Sequence, residues 1–402
     1  MNPCPFLIQQ CSSLIRRGGS SHAFTNQSIQ RSATLSCTIP TKQQQQQTPH
    51  NPWWTTNHRS FSVTTKTSGL SLNSKRRKGH KITMVTAYDF PSAVHVARAG
   101  IDMILIGDSV AMVELGHNTT QPVTVDQMIH HCQSVQRGVE LVSTEERSTA
   151  AAATPEKKIL PLLVGDMPFG SYEYQNTDIA LKNAYRFVQE AGMDAIKLEG
   201  GSKTRANTVQ KIVEGGVAVM GHVGLTPQAI SVIGGFRAQG RTANRARQLL
   251  DEALRLQDAG CFSIVLECVP SNVASIITES LEIPTIGIGA GGGTSGQVLV
   301  YHDMLGMMSH PHHDQFVPKF CKKYAHVGHA IQDGLREFKA DVESNIFPGD
   351  EYSPYKMSKG ESEAFEDLLQ QDEEERQRKH DEDAKRLKEV DEYETLNLYG
   401  KK

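Results

Sequence analysis

Ionisable side chains follow one short apolar run after another in this sequence. Such groups can hold a cation, bind an anionic substrate or move a proton. They are Asp89, Asp108 with Ser109, Asp166, Lys197 with Glu199, His222, Glu267 and Asp303. A single Asp after an apolar run has a simpler explanation, because Asp also caps helices and forms turns. A series of such residues after successive runs favours one shared site.

Three of these residues form an all-oxygen set that suits a divalent metal. Carboxylates gathered in a buried site repel one another unless a cation neutralises them. Oxygen ligands with no Cys or His pair beside them favour a hard ion, and Mg²⁺ usually leaves positions for water and substrate. We therefore predict Asp108, Asp166 and Glu199 as metal ligands. Lys197 shares a strand face with Glu199 and would suit an anionic substrate carboxylate.

The apolar runs themselves predict strands that alternate with amphipathic helices. The eight predicted strands are Ile82–Tyr88, Met103–Gly107, Leu160–Gly165, Ala195–Leu198, Val217–Gly221, Ser263–Leu266, Thr285–Ile288 and Val298–Tyr301. Helical spacing covers 178–191 and 244–259, with Gly192 and Gly260 placed as C-caps. Eight strand–helix units in roughly 220 residues predict an α/β fold, one (β/α)8 TIM barrel. In that fold the carboxyl ends of all strands meet on one face, where the ionisable residues would converge.

Charge divides the chain into three parts. Residues 1–88 contain 11 Lys and Arg and no Asp or Glu, and residues 360–402 contain 15 acidic and 8 basic residues. Of the 45 acidic and 42 basic residues in all, 45 − 15 = 30 acidic and 42 − 11 − 8 = 23 basic remain for 89–359. This mildly acidic middle gives no reason to expect a nucleic-acid partner. No apolar run approaches the ~20 residues of a membrane span, and the seven Cys show no CxxC pair.

We expect three regions from these patterns. Residues 1–79 are interpreted as a transit peptide, because they are basic, rich in Ser, Thr and Gln, and lack the apolar core of a secretory signal. The segment 58–62 resembles a mitochondrial processing region, so we expect a mitochondrial location; a disordered tail without an address is the alternative. The catalytic barrel is expected over 80–356, with a surface insertion at 142–158. A charged tail, helical or disordered, is expected over 357–402.

The ionisable residues stand within longer sequence blocks. The blocks include Val85–Ala93, Leu105–Ser109, Pro122–Met128, Gly165–Tyr172, Ile196–Gly201, Gly221–Gln228, Leu266–Pro270 and Gly287–Gly291. In this order, over about residues 80 to 356, they resemble the 3-methyl-2-oxobutanoate (ketopantoate) hydroxymethyltransferase family. The resemblance implies a barrel of the phosphoenolpyruvate/pyruvate type and a homo-oligomer.

The resemblance also implies a reaction and roles for the site residues. Family members transfer a hydroxymethyl group from 5,10-methylenetetrahydrofolate to 3-methyl-2-oxobutanoate, through a Mg²⁺-stabilised enolate, to give 2-dehydropantoate for pantothenate and coenzyme A synthesis. Asp108 and Asp166 would bind Mg²⁺, with Glu199 binding directly or through water. The oxoacid would be held by Asp108, Ser109, Asp166 and Lys197, with His222 lining the site. Glu267 would be the general base.

Other readings of the same residues remain open at this point. One is a related Mg²⁺-dependent carbon–carbon lyase that acts on another 2-oxoacid, and another is a barrel retained as a scaffold. Gly287–Gly292 also satisfies GxGxxG. That fingerprint belongs to a first βα turn, however, and here it follows seven predicted strands. We therefore expect a tight βα loop there rather than a dinucleotide site.

Overall fold

A closed barrel of eight parallel strands forms the centre of this protein. The computed structural model describes residues 65–148, 159–235, 237–308 and 318–398. Two short strands, β1 (Thr65–Lys66) and β4 (Ile159–Leu160), pair outside the barrel. The barrel strands are β2 (Ile82–Thr86), β3 (Met103–Ile106), β5 (Leu162–Asp166), β6 (Ala195–Glu199), β7 (Ala218–Gly224), β8 (Ser263–Glu267), β9 (Thr285–Ile288) and β10 (Gly296–Leu299). Each pairs in parallel with the next, and β10 closes onto β2. The predicted fold class is confirmed.

Helices precede, connect and follow the barrel strands. In the described ranges they are α1 (Gly69–Arg77), α2 (Phe90–Arg98), α3 (Val110–Val113), α4 (Val125–Ser148), α5 (Thr177–Gln189), α6 (Lys203–Glu214), α7 (Ile230–Ile233), α8 (Ala243–Asp258), α9 (Ser271–Ser280), α10 (Tyr301–Met304), α11 (Val327–Glu343) and α12 (Lys359–Leu398), with 3₁₀ turns at Pro227–Ala229 and Asp350–Tyr352. The helices predicted over 178–191 and 244–259 are confirmed as α5 and α8. Gly192 and Gly260 follow them with φ of 67° and 96°, in the left-handed region typical of residues after a helix end.

The last barrel strand lies two residues earlier than predicted. The prediction was Val298–Tyr301, whereas β10 begins at Gly296 and Tyr301 begins α10. Glycine has a low propensity for strands, so the apolar pattern did not place Gly296 in the predicted strand. Here close packing requires it, because a Cβ at Gly296 would lie 2.4 Å from the carbonyl oxygen of Ile82.

The folded chain begins before residue 80, which corrects the expected boundary at residue 79. Helix α1 lies within that stretch, and its Leu72 is completely buried. Leu72 packs in one apolar cluster with Ile82 and Met84 of β2 and Met103 of β3. Helix α1 therefore contributes to the core inside the barrel. Residues 1–64 of the expected transit peptide lie outside the described residues.

The other two expected regions can be followed only in part. The expected insertion at 142–158 begins inside α4, which continues to Ser148, and Val142 is completely buried. Residues 149–158 lie outside the described residues. In the expected tail, α12 is one helix of 40 residues whose described side chains are nearly all exposed. Among the helices that the structure describes, none is both long enough and apolar enough to cross a bilayer.

Replacing Leu72 by Ala should destabilise the protein by roughly 2–5 kcal/mol, because the change leaves a cavity in a packed core. The free energy of unfolding in urea is the measurement. Leu70→Ala is the matched control, since Leu70 lies on the same helix with 85% of its surface exposed, and we expect it to change stability little. Equal effects of the two substitutions would show that α1 does not pack into the barrel core.

Candidate active site

The carboxyl ends of the barrel strands surround a cavity of about 630 Å³. Every residue predicted for the site lines it: Asp108, Ser109, Asp166, Lys197, Glu199, His222 and Glu267. Asp303, on α10, also lines this cavity. Asp89 has a structural role instead. Its carboxylate accepts a hydrogen bond from the backbone N–H of Ser92 at 2.8 Å and caps α2.

Lys197 is a buried cation paired with buried carboxylates. Its Nζ lies 2.8 Å from Asp166 Oδ2 and 3.7 Å from Glu199 Oε1. The register explains the first contact, because Asp166 on β5 is directly opposite Lys197 on β6. Burial alone would lower the pKa of Lys197, but the surrounding carboxylates outweigh it and raise that pKa above the ordinary value. Lys197 therefore carries a positive charge at neutral pH.

Asp108 and Asp166 lie side by side and have oxygens without partners. The backbone N–H of Asp108 donates to Asp166 Oδ2 at 3.1 Å. Asp108 Oδ2 and Asp166 Oδ1 are buried and have no hydrogen-bond partner among the described residues. Burial raises the pKa of both carboxyls, and the charge of Glu199 raises that of Asp108 further. Buried oxygens of this kind are costly unless a donor or a cation satisfies them.

This pair fits the predicted metal. Within the described ranges, no group of three or more His, Cys, Asp or Glu side chains forms a ready metal cage. Mg²⁺ does not need one, because it commonly binds one or two protein carboxylates and fills the remaining positions with water and substrate. The unpartnered oxygens of Asp108 and Asp166 match that requirement.

Glu199, the third predicted ligand, lies between His222 and Gln228. Its Oε2 accepts a hydrogen bond from the backbone N–H of Gln228 at 3.1 Å, and its Oε1 lies 3.4 Å from His222 Nδ1. Burial alone would raise the pKa of Glu199, but His222, Lys197 and the N–H of Gln228 outweigh it and lower that pKa. Oε2 therefore has a donor, whereas Oε1 is buried and has no hydrogen-bond partner among the described residues. Glu199 thus fits contact with a metal either directly or through water.

His222 links Glu199 to Glu267. Its Nδ1 faces Glu199, and its Nε2 lies 3.3 Å from Glu267 Oε2. Burial and Lys197 lower the pKa of His222, but the two carboxylates outweigh them and raise it to about 9. Burial raises the pKa of Glu267, while His222 opposes that change. A carboxylate with a raised pKa is a stronger base, and 16% of the Glu267 side chain remains exposed.

Two uncharged residues that the sequence analysis missed hold Glu199 in place. Gln228 is buried, donates its backbone N–H to Glu199 and donates Nε2–H to the carbonyl oxygen of Met167 at 3.0 Å. The Tyr172 hydroxyl donates to Gln228 Oε1 and accepts from the backbone N–H of Glu199 at 3.2 Å. Both residues stand at the ends of sequence blocks already singled out. A search for Asp, Glu, Lys and His side chains passes over an amide and a phenol.

The glycine motif at 287–292 has a packing role. Gly289 has a φ of 62°, and a Cβ there would lie 2.5 Å from the ring of Phe320, which lines the cavity. The loop follows β9 in a barrel and not the first strand of a doubly wound sheet. The context that a dinucleotide-binding site requires is therefore absent from the described fold.

Fold and site together define an enzyme of the (β/α)8-barrel class, with an acidic site at the carboxyl ends of its strands. The model of one family, described as ketopantoate hydroxymethyltransferase, matches residues 66–350. The chain belongs to the ketopantoate hydroxymethyltransferase family.

Named relatives agree with this assignment. The chain is 53% identical to 3-methyl-2-oxobutanoate hydroxymethyltransferase 1, mitochondrial, of Oryza sativa subsp. japonica, over 76% of this chain and 79% of that protein. The protein of the same name in Arabidopsis thaliana is 54% identical, over 74% and 80%. The 3-methyl-2-oxobutanoate hydroxymethyltransferase of Heliobacterium modesticaldum is 47% identical, over 69% and 91%.

One solved structure of low sequence identity shows a distant likeness. A crystal structure of phosphonopyruvate hydrolase is 12% identical with a TM-score of 0.44, covering 76% of this chain and 97% of that chain. The fold assignment rests instead on the strand order and pairing of the barrel itself.

Lys197→Met should destabilise the protein by roughly 3 kcal/mol, because it leaves the carboxylates of Asp166 and Glu199 buried without their cation. Urea unfolding in the presence of a chelator measures this effect. Lys66→Met is the matched control, since Lys66 pairs with Asp194 at 2.6 Å but keeps 40% of its side chain exposed. We expect a change of about 0–1 kcal/mol for that surface pair. A Lys197→Met protein as stable as the control would contradict the central role of this ammonium group.

Proposed function

We propose that this protein transfers a hydroxymethyl group from 5,10-methylenetetrahydrofolate to 3-methyl-2-oxobutanoate, giving 2-dehydropantoate for pantothenate and coenzyme A synthesis. The observation that carries the proposal is the pair of unpartnered carboxylate oxygens on Asp108 and Asp166, beside the Lys197 ammonium and in the same cavity as Glu267. Family membership supports the same activity.

Binding of the oxoacid is assigned to the Lys197 side of the cavity. Lys197 and Ser109 would hold the substrate carboxylate, with His222 lining the site. Asp108 and Asp166 would hold Mg²⁺, with Glu199 binding directly or through water, and the two aspartates would also hold the oxoacid. When bound, Mg²⁺ would supply positive charge that stabilises the negative charge developing on the 2-oxo oxygen.

Proton removal is assigned to Glu267. The hydrogen at C3 of 3-methyl-2-oxobutanoate is acidified by the adjacent carbonyl, and Glu267 would take it as a general base. The His222 imidazolium lies against Glu267 and would hold its carboxylate in position. The resulting nucleophilic C3 would form a bond to the methylene carbon of the folate, and both bonds from that carbon to the folate nitrogens would break. Water would supply the hydroxyl group on that carbon, and tetrahydrofolate would leave with protons on the two nitrogens.

Glu267→Gln should separate substrate binding from proton removal. Given 3-methyl-2-oxobutanoate and Mg²⁺ in D₂O without folate, the wild type should exchange the C3 proton, and NMR of the substrate measures the rate. The variant should lose at least about 100-fold of that rate, because an amide cannot accept the proton. A chelator should stop exchange in the wild type, and the exposed Glu214→Gln should leave the rate unchanged. Full exchange in Glu267→Gln would show that another group, such as His222, is the base. Full exchange in the wild type with a chelator would refute the proposed requirement for Mg²⁺.

We also propose that the chain is imported into mitochondria by its N-terminal segment. Two kinds of observation support this. Residues 1–64 contain five basic and no acidic residues, and two of the plant relatives are named as mitochondrial.

Removing residues 1–60 should abolish import while leaving folding and activity intact, because α1 and its buried Leu72 remain. Imaging of tagged chains and an assay of the purified protein are the measurements. Removing residues 1–79 is the contrasting variant, and it should reduce stability as well. A full-length chain that stays in the cytosol, or a shortened chain that still enters mitochondria, would refute the proposed address.

A homo-oligomer is the third part of the proposal. Helix α11 carries an apolar stripe at 3–4-residue spacing, with Ile331, Leu335, Phe338 and Val342 exposed by 47, 62, 55 and 44%. Exposed apolar surface of this extent is typical of protein interfaces. Sedimentation should give a mass that is a multiple of 44.3 kDa, and a monomer would refute this part.

A further inference from the structure

A fully buried tyrosine touches one of the cavity residues. Tyr88, just after β2, has no exposed surface, and its hydroxyl lies 2.7 Å from Ser109 Oγ. Ser109 lines the cavity, whereas Tyr88 is not among the described residues that line it. The Tyr88 hydroxyl can therefore act on a bound molecule through its hydrogen bond to Ser109.

The direction of this hydrogen bond follows from the burial of Tyr88. Its hydroxyl is removed from water, and Ser109 Oγ is the hydrogen-bond partner that the described structure gives it. The Tyr88 proton must find an acceptor, because an unsatisfied buried hydroxyl is costly. Ser109 Oγ is that acceptor.

The opposite direction is less favourable. If Ser109 donated to Tyr88, the buried proton of Tyr88 would have no hydrogen-bond acceptor among the described residues. Ser109 lines the cavity, so a molecule bound there can accept the Ser109 proton instead. The burial of Tyr88 therefore favours donation from Tyr88 to Ser109.

We propose that Tyr88 and Ser109 form a directed hydrogen-bond relay that makes Ser109 a donor toward the cavity, where the carboxylate of the 2-oxoacid accepts its proton. This proposal rests on the proposed function. A carboxylate only accepts hydrogen bonds, so Ser109 can serve it only when its own proton is free. Tyr88 is thus a positioning residue, and it favours substrates with an anionic acceptor.

The ring of Tyr88 is held independently of its hydroxyl. The ring centroid lies 5.5 Å from that of His302, and His302 Nε2 lies 3.2 Å from Glu114 Oε1. Tyr88→Phe therefore keeps the packed ring and removes only the relay. Tyr185→Phe is the matched control, because the Tyr185 hydroxyl donates to the Gly215 carbonyl at 3.1 Å and is not part of the cavity lining.

The test is a double-mutant cycle on substrate binding. Calorimetric titration of 3-methyl-2-oxobutanoate into the full chain with Mg²⁺, without folate, gives Kd. Tyr88→Phe should weaken binding about fivefold, which is the loss expected for one oriented hydrogen bond. Ser109→Ala should weaken binding at least as much. The double variant should bind no more weakly than Ser109→Ala alone, because Tyr88 acts on the substrate only through Ser109. Tyr185→Phe should bind like the wild type, and kcat of Tyr88→Phe at saturation should stay within about twofold of wild type.

Each contrary result has a defined meaning. Losses that multiply in the double variant, or an unchanged Kd in Tyr88→Phe, would overturn the relay while leaving the proposed function in place. A Tyr88→Phe protein that loses kcat but not affinity would also overturn it. A wild type that does not bind the oxoacid would overturn the proposed function together with the substrate of this relay.

Discussion

Charge buried at the mouth of the barrel is the constraint on which the rest of the site depends. The carboxylates of Asp108, Asp166 and Glu199 are almost completely removed from water, and Lys197 and His222 supply the positive charge around them. Isolated charges in such surroundings would cost several kcal/mol each. The cluster is therefore stable only as a unit, in which the buried carboxylates and the buried cations offset one another's charge.

Below this polar layer the barrel is filled with apolar side chains. Met84, Met103 and Val164 point into the barrel, and Leu72 enters from α1. Side chains on a strand alternate between faces, so the strand residues that point inward at the carboxyl end belong to the site and those further down belong to the core. The packed lower layers hold the strand ends in register, and the register brings Asp166 opposite Lys197 and Glu199 opposite His222.

The sequence predicted the strands and most of the site because both are properties of single segments. An apolar run followed by Asp, Lys or Glu is visible without knowing its neighbours. The contributions of Gln228 and Tyr172 depend on three loops meeting, and no local pattern indicates which amide reaches Glu199. Helix α1 was missed for a related reason: with one buried residue and a basic end, its composition is that of a leader sequence. The periodicity of a segment gives the face that it buries, but not the partner that covers that face.

Closure of the barrel has a consequence for the order in which the chain can fold. The final pairing joins Gly296 of β10 to Ile82 of β2, residues that are 296 − 82 = 214 positions apart. One edge of β2 therefore stays without its native partner until the chain is available through residue 299. Pairings of such long separation form slowly, since the entropy of closing the intervening loop must be lost first. A chain that becomes available from its N-terminus has an open sheet with an unpaired, aggregation-prone edge until its last strand pairs. During this interval it most needs protection by a chaperone.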